Sequence, residues 1–240
     1  MSVLAVDIGG TSIKVLVMGA SGEPLGPTRK LPTPQPAMPE AVFSVIEELS
    51  RDAADFERVS VGFPGVVKRG VAHNAPNLGN ELWTKVPLAE PLGERLGRPA
   101  RAVNDADLQG LGVVEGQGVE LVVTFGTGMG AALFTEGHLV PNLEAGHHPL
   151  RDGQSYEDLV RDSELKRIGP SQWTERVLYA LQRLEALFNY DLIHLGGGNL
   201  RHLQADLPAN ARSFTLEEAL RGAVRLWRAS SASAVGDEGV

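Results

Sequence analysis

Not one cysteine occurs in the 240 residues, which excludes disulfides, thiolate metal sites and a cysteine nucleophile together. No window approaches the ~18 apolar residues of a membrane span. The opening MSVLAVDIGG has no basic leader and too few apolar residues before Asp7 for a secretory segment. These absences predict a cytoplasmic protein with no membrane partner. Positive charge is also short: 22 Lys and Arg against 30 Asp and Glu give a formal charge of −8. That balance works against a surface built for nucleic acid or anionic membrane. It leaves phosphate ligands open, because backbone amides can hold them.

What is present is a hydrophobic fraction of 42%, enough for a substantial core in one large domain or two lobes. Two segments repeat one pattern: LAVDIGGTSIKVLVMGASGEPL from Leu4 and LVVTFGTGMGAALFTEGHLV from Leu121. Each reads as an apolar strand, a Gly-rich reversal, a second apolar strand and a polar turn. Strands alternate with helices elsewhere. PEAVFSVIEELS (39–50) has helical spacing, RVSVGFPGVV (58–67) is a strand running into a Pro-Gly turn, and SQWTERVLYALQRLEALF (171–188) is a long amphipathic helix with Ser171 as its expected cap. The class is therefore α/β with duplicated mixed sheets. The expected organisation is a first lobe over 1–103, a second over 104–228 with its last helix a candidate to pack back on the first, and a mobile tail over 229–240.

In DIGGTSIK, Gly9 and Gly10 let the backbone turn tightly and approach a ligand closely. Thr11 adds a hydroxyl, Lys14 a cation and Asp7 a carboxylate at the strand end, so the turn is a candidate anion-binding concavity. An ordinary hairpin is the alternative. A strand rather than a helix follows, so this is neither a dinucleotide fingerprint nor a P-loop. TFGTGMG repeats the geometry with Gly126, Thr127 and Gly128, with Thr124 standing where Asp7 stood and Ala131 where Lys14 stood. HLGGGN puts Gly196, Gly197 and Gly198 at a strand terminus. A flat ligand or a phosphate could lie on that surface, and close helix–strand packing would explain the glycines as well. At VNDAD a strand end projects Asn104 and Asp105, and Asp105 is either a functional carboxylate or a helix cap. Glu144 and His147, in NLEAGHH, are three apart and fall on one side of a turn.

In order, DIGGT, GFPGVV, APNL, VNDAD, TFGTGMG, EAGH and LGGG resemble the ROK family of sugar kinases, and several longer segments resemble its polyphosphate glucokinase branch. The resemblance implies a two-lobed actin-like, hexokinase-like (ribonuclease H-like) fold. It implies transfer of a phosphoryl group from inorganic polyphosphate, ATP or both to the 6-hydroxyl of glucose, with mannose as a further acceptor to consider. Asp105 then matches the general base, and Asn77, Asn104, Glu144, His147 and Glu157 match contacts to the sugar. Asp7 matches the carboxylate that positions Mg²⁺ through water. Gly9, Gly10, Thr11, Lys14, Gly126, Thr127 and Gly128 match donor-phosphate positions, and Gly196 to Gly198 match the adenosine side. A homodimer is implied, and no nucleic-acid partner. Many family members carry a cysteine-rich zinc motif after the element matching EAGH; without cysteine that structural zinc site cannot exist here. A catalytically weak sugar- or nucleotide-binding regulator on the same fold is the rival reading, which retention of Asp7, Lys14 and Asp105 disfavours.

Overall fold

The structure, a computed structural model, describes residues 1–233. Its chain forms two compact units, the first comprising Met1–Gly112 and the segment from Glu217, the second Val113–Leu216.

The first unit is built on β1 (Val3–Ile8), β2 (Ser12–Met18), β3 (Arg29–Pro32), β4 (Arg58–Phe63) and β5 (Ala100–Asn104), ordered β3-β2-β1-β4-β5. β1 is antiparallel to β2 and parallel to β4, and all six of its residues are buried. A central strand covered on both faces needs no polar side, which is why VLAVDI shows little alternation. Helix α1 (Pro39–Ser50) begins with proline, whose missing N–H is no loss in the first turn, and buries Val42, Ile46 and Leu49. Helix α2 (Ala89–Leu96) stops at Gly97 in the left-handed region. Helix α3 (Asp105–Val113) starts directly at the end of β5. Trp83 is fully buried against Phe63 and Phe43, and its indole N–H donates to the Ala37 carbonyl at 2.9 Å.

The second unit repeats the sheet. β6 (Val119–Phe125), β7 (Met129–Thr135), β8 (His138–Val140), β9 (Leu192–Gly196) and β10 (Ala211–Ser213) are ordered β8-β7-β6-β9-β10, with the same alternation of antiparallel and parallel neighbours. The duplication read from the two hairpins is thus a duplication of whole sheets. One detail differs. Asp7 faces Lys14 across its hairpin, whereas Thr124 faces Gly130 rather than Ala131, because the second turn is one residue shorter. Helices α4 (Tyr156–Val160) and α5 (Asp162–Phe188) follow. α5 is two helices abutting at Gly169 (φ 80°, ψ 165°), so helix already precedes the expected start, and Pro170 rather than a Ser171 cap opens the second stretch. Trp173 is the counterpart of Trp83: it is fully buried, meets Phe125 edge-on at 5.8 Å, and donates to the Val160 carbonyl at 2.7 Å.

Helices α6 (Leu216–Leu220) and α7 (Gly222–Ser233) return to the first unit. Ser60 Oγ donates to the Ala223 carbonyl and accepts from Trp227 Nε1, and the Arg101 and Arg58 guanidinium groups lie 4.1 and 4.6 Å from the Trp227 ring centroid. A Cβ on Gly112 would stand 2.2 Å from the Ala219 carbonyl oxygen, and one on Gly222 only 1.8 Å from that of Leu108. These close backbone approaches bind α3 to α6 and α7. The division between units therefore falls after Gly112 rather than before Asn104, where the sequence had suggested it. α7 also continues past the expected start of the tail at 229; residues 234–240 of that tail lie outside the described residues. No described helix is long and apolar enough to cross a membrane.

Candidate active site

In the first unit, the ends of β1 and β5 carry the polar residues singled out from the sequence. Asn104 is buried at the last position of β5, and its side chain has two structural tasks. Its Oδ1 accepts the Ala106 and Asp107 N–H groups at 2.8 and 3.1 Å, and its Nδ2 donates to the Gly65 carbonyl at 3.2 Å. Asn104 therefore caps α3 and ties the helix start to the Pro64-Gly65 turn. Asp105 is the first residue of α3 and only partly buried, and one of its oxygens accepts the Ala106 N–H as well. Asn104 and Asp105 thus both reach the Ala106 N–H, and Asn104 also holds the Asp107 N–H. Asp107, by contrast, is buried.

Gly65 is held from a second side. Val66 N–H donates to Asn74 Oδ1 at 2.7 Å, and a Cβ on Gly65 would collide with the Asn74 carbonyl oxygen at 2.3 Å. The same loop continues to Asn77, which lies exposed in the turn whose Leu78 and Gly79 N–H groups bond the Ala75 carbonyl. Asn74 and Asn104 thus both hold the turn over 64–66, and Asn77 follows in the same loop.

Asp7 and Lys14 are drawn to each other. They are cross-strand neighbours, and Lys14 Nζ donates to Asp7 Oδ2 at 2.9 Å, with Asp7 mostly buried. The turn between them is held by a residue that motif reading missed. Thr33, buried just beyond β3, donates its hydroxyl to the Gly9 carbonyl and its N–H to the Thr11 carbonyl. Nothing local in LPTPQP marks Thr33; its role depends on β3 lying beside β2.

In the second unit, the turn after β6 is fixed from three directions. Gly126 N–H donates to the Gly128 carbonyl, the Gly126 carbonyl accepts from Asp162 N–H and Asn199 Nδ2, both at 3.0 Å, and Met129 N–H donates to Glu157 Oε2 at 2.9 Å. Around Gly126 itself there is open space where a Cβ would stand. Asn199 was another residue missed, although it directly follows the three glycines. Those glycines have three different surroundings. Gly196 is covered by the tip of the Phe214 ring, Gly197 (φ 89°) packs on the Phe125 backbone, and Gly198 faces open space. Close packing thus accounts for two of the three.

Glu144, His147 and Glu157 come together in this unit. Glu144 Oε2 lies 3.4 Å from His147 Nε2 on a single 3₁₀ turn, as the three-residue spacing suggested. Burial pushes the Glu144 carboxyl above its usual range, the Glu157 charge adds to that, and His147 opposes it. Glu157 is shared, since one of its oxygens is already committed to Met129 N–H. His194 is buried against Glu120 at 2.7 Å, and Glu120 also accepts the N–H groups of Glu115, Gly116 and Gln117.

Among the described residues no group of three or more His, Asp or Glu is placed to hold a metal ion. Mg²⁺ is commonly held by one or two carboxylates together with substrate phosphates and waters. A single carboxylate such as Asp7 beside a phosphate-type turn is compatible with that mode.

Residues 3–155 match the ROK family. Over 213 residues the chain is 32% identical to the polyphosphate glucokinase of Mycobacterium tuberculosis (strain ATCC 25177 / H37Ra), covering 85% of this chain and 80% of that protein. It is 33% identical over 215 residues to the polyphosphate glucokinase of Mycobacterium leprae (strain TN), covering 85% and 65% respectively. The crystal structure of an inorganic polyphosphate/ATP-glucomannokinase from Arthrobacter sp. strain KM matches with a TM-score of 0.86 at 31% identity, over 95% of this chain and 99% of that one. The architecture is accordingly the actin-like, hexokinase-like fold.

Proposed function

The chain belongs to the ROK family, and from that premise we propose that it is a hexose kinase, transferring a phosphoryl group from inorganic polyphosphate, ATP or both to the 6-hydroxyl of glucose. The observation that carries this reading furthest is the division of labour at VNDAD. Asn104 holds the start of α3 with two N–H bonds, and the partly exposed Asp105 carboxylate stands next to it at the end of β5, the position assigned to the base. In the proposed step Asp105 accepts the proton of the sugar 6-hydroxyl as that oxygen bonds to the terminal phosphorus of the donor. The bond from that phosphorus to the bridging oxygen breaks, leaving ADP or a polyphosphate one unit shorter.

Phosphoryl transfer makes little covalent demand on a protein, so positioning and charge neutralisation dominate. We assign the sugar hydroxyls to Asn77, Asn104, Glu144, His147 and the second oxygen of Glu157. A carboxylate–imidazole–amide set offers both donors and acceptors, and leaving one buried hydroxyl unmatched costs about 1–3 kcal/mol. Gly9, Gly10, Thr11, Gly126, Thr127 and Gly128 are assigned to the donor phosphates, with Thr33 and Asn199 fixing the two turns from behind. Mg²⁺, with Asp7 as its protein contact through water, would offset phosphate charge when bound. Lys14 neutralises Asp7 in the structure and is assigned to meet phosphate. A cytoplasmic location and a homodimer belong to the same proposal.

The test is initial-rate assay of glucose and mannose phosphorylation with ATP and, separately, with long-chain polyphosphate. Glucose 6-phosphate from at least one donor is the expected result. Glucose binding without turnover from either donor would instead favour the regulator.

A further inference from the structure

At the first of the three glycines that close β9 the chain has placed a planar group of its own. β10 runs parallel to β9, with Leu195 beside Ser213, and the next residue, Phe214, donates its N–H to the Leu195 carbonyl at 3.0 Å. That register puts Phe214 beside Gly196. Its ring tip stands 2.2–2.8 Å from where a Cβ on Gly196 would be, so the ring lies directly over that glycine. Gly197 has the Phe125 backbone where a Cβ would stand, and both Gly197 and Gly198 are exposed. The phosphate-type turn after β6 is tied to the same strand end through Asn199, and the Gly126 face within it is open. A donor entering this unit therefore meets room for phosphates at the turn and a phenyl ring over the first glycine of the platform.

We propose that Phe214 is a donor-selecting residue: its ring fills the glycine face that a nucleotide base would need, so that the site favours a donor made of phosphates alone over a nucleoside triphosphate. The inference rests on the kinase reading above and names the donor within it. A base could reach Gly196 only by displacing the ring, whereas a chain of phosphates needs no such surface. Phe214 is only partly buried, so shortening it should uncover the platform without opening the core.

Tripolyphosphate and a non-hydrolysable ATP analogue make a suitable pair of probes, since both carry three phosphates and only one has a base. Their dissociation constants are to be measured by calorimetry, in the presence of Mg²⁺ and glucose, for the wild type and for Phe214→Ala and Phe214→Leu. The ratio of kcat/KM for ATP to that for polyphosphate is the companion readout. The wild type is expected to bind tripolyphosphate at least as tightly as the analogue. Phe214→Ala should improve the analogue relative to tripolyphosphate by roughly tenfold, the scale of one base finding a flat surface, with Phe214→Leu showing a smaller gain. A ratio unmoved in both variants overturns the proposal. So does a fall, which would make the ring a stacking partner of the base, or a wild type that clearly prefers the analogue. Should Phe214→Ala lose glucose binding and hence its fold, the leucine variant decides. A wild type that is active with glucose but shows no shift on substitution sinks this inference alone, whereas one inactive with both donors sinks the kinase reading.

Discussion

Asp105 and Asn104 are adjacent, yet substitution should separate them cleanly. Asp105→Asn removes a charge from the first turn of α3, where a carboxylate is worth about 0.3–1 kcal/mol against the helix dipole. For a chain of this size that is a fall of roughly 1–4 °C in Tm. Asn104→Ala instead removes an amide that accepts two N–H groups and donates to the Gly65 carbonyl. Loss of a cap costs about 0.5–2 kcal/mol, and an acceptor stranded in a buried site about 1–3 kcal/mol more. The expected total of about 2–4 kcal/mol corresponds to a Tm drop of about 5–15 °C. Turnover should respond in the opposite order. Removing a general base is expected to lower kcat by about 10²–10⁴, so Asp105→Asn should be nearly inactive while still folded and still binding glucose within a few-fold of wild type. Coupled measurement of glucose 6-phosphate formation, thermal melts and glucose calorimetry on the two variants supply the three numbers. If Asp105→Asn retains turnover within about tenfold of wild type, Asp105 is not the base. If it melts below Asn104→Ala, the capping roles have been assigned the wrong way round.

Two further outcomes follow from the second unit. Gly197 adopts φ 89° with the Phe125 carbonyl oxygen 2.3 Å from a would-be Cβ, whereas Gly198 has open space. Gly197→Ala should therefore cost about 2–5 kcal/mol from backbone strain and overpacking together, while Gly198→Ala stays within about 0.5 kcal/mol; denaturant melts that rank them equally would refute the packing account. Burial raises the Glu144 carboxyl, so its contribution to folding is favourable below its ordinary 4.5 and is lost as pH rises through the raised value. Sugar hydroxyls donating to Glu144 favour its ionised form, so glucose affinity should rise with pH across the same window, with a proton released on binding. Calorimetry in buffers of different ionisation enthalpy measures that release, and a flat wild-type profile, or a slope kept by Glu144→Gln, would remove Glu144 from the sugar site.

How much of this was legible in the sequence depends on how far each feature reaches along the chain. The hairpins around DIGGT and TFGTGMG, the helix over 39–50 and the Glu144–His147 turn are local, and local pattern found them. Asp7 against Lys14 is also local, because two alternating strands joined by a short turn bring those positions opposite each other. The second hairpin shows the limit even there: a turn shorter by one residue put Gly130, not Ala131, opposite Thr124. Thr33 on the first turn and Asn199 on the second were invisible because each acts across a strand pairing whose register no short window contains. The placement of α3 was misjudged for the same reason, since what binds it is the close approach of Gly112 and Gly222 to backbone roughly a hundred residues away. The glycines of HLGGGN state the general case. Their spacing tells a reader that side chains are excluded from a strand end, but the excluding body is the chain's own ring at Gly196 and its own backbone at Gly197, and only Gly198 is left facing open space. A run of glycines that looks like one binding surface is therefore three separate questions. The neighbour of Gly196, the residue directly after a strand that begins fifteen residues later, is the one that bears on which donor the site will take.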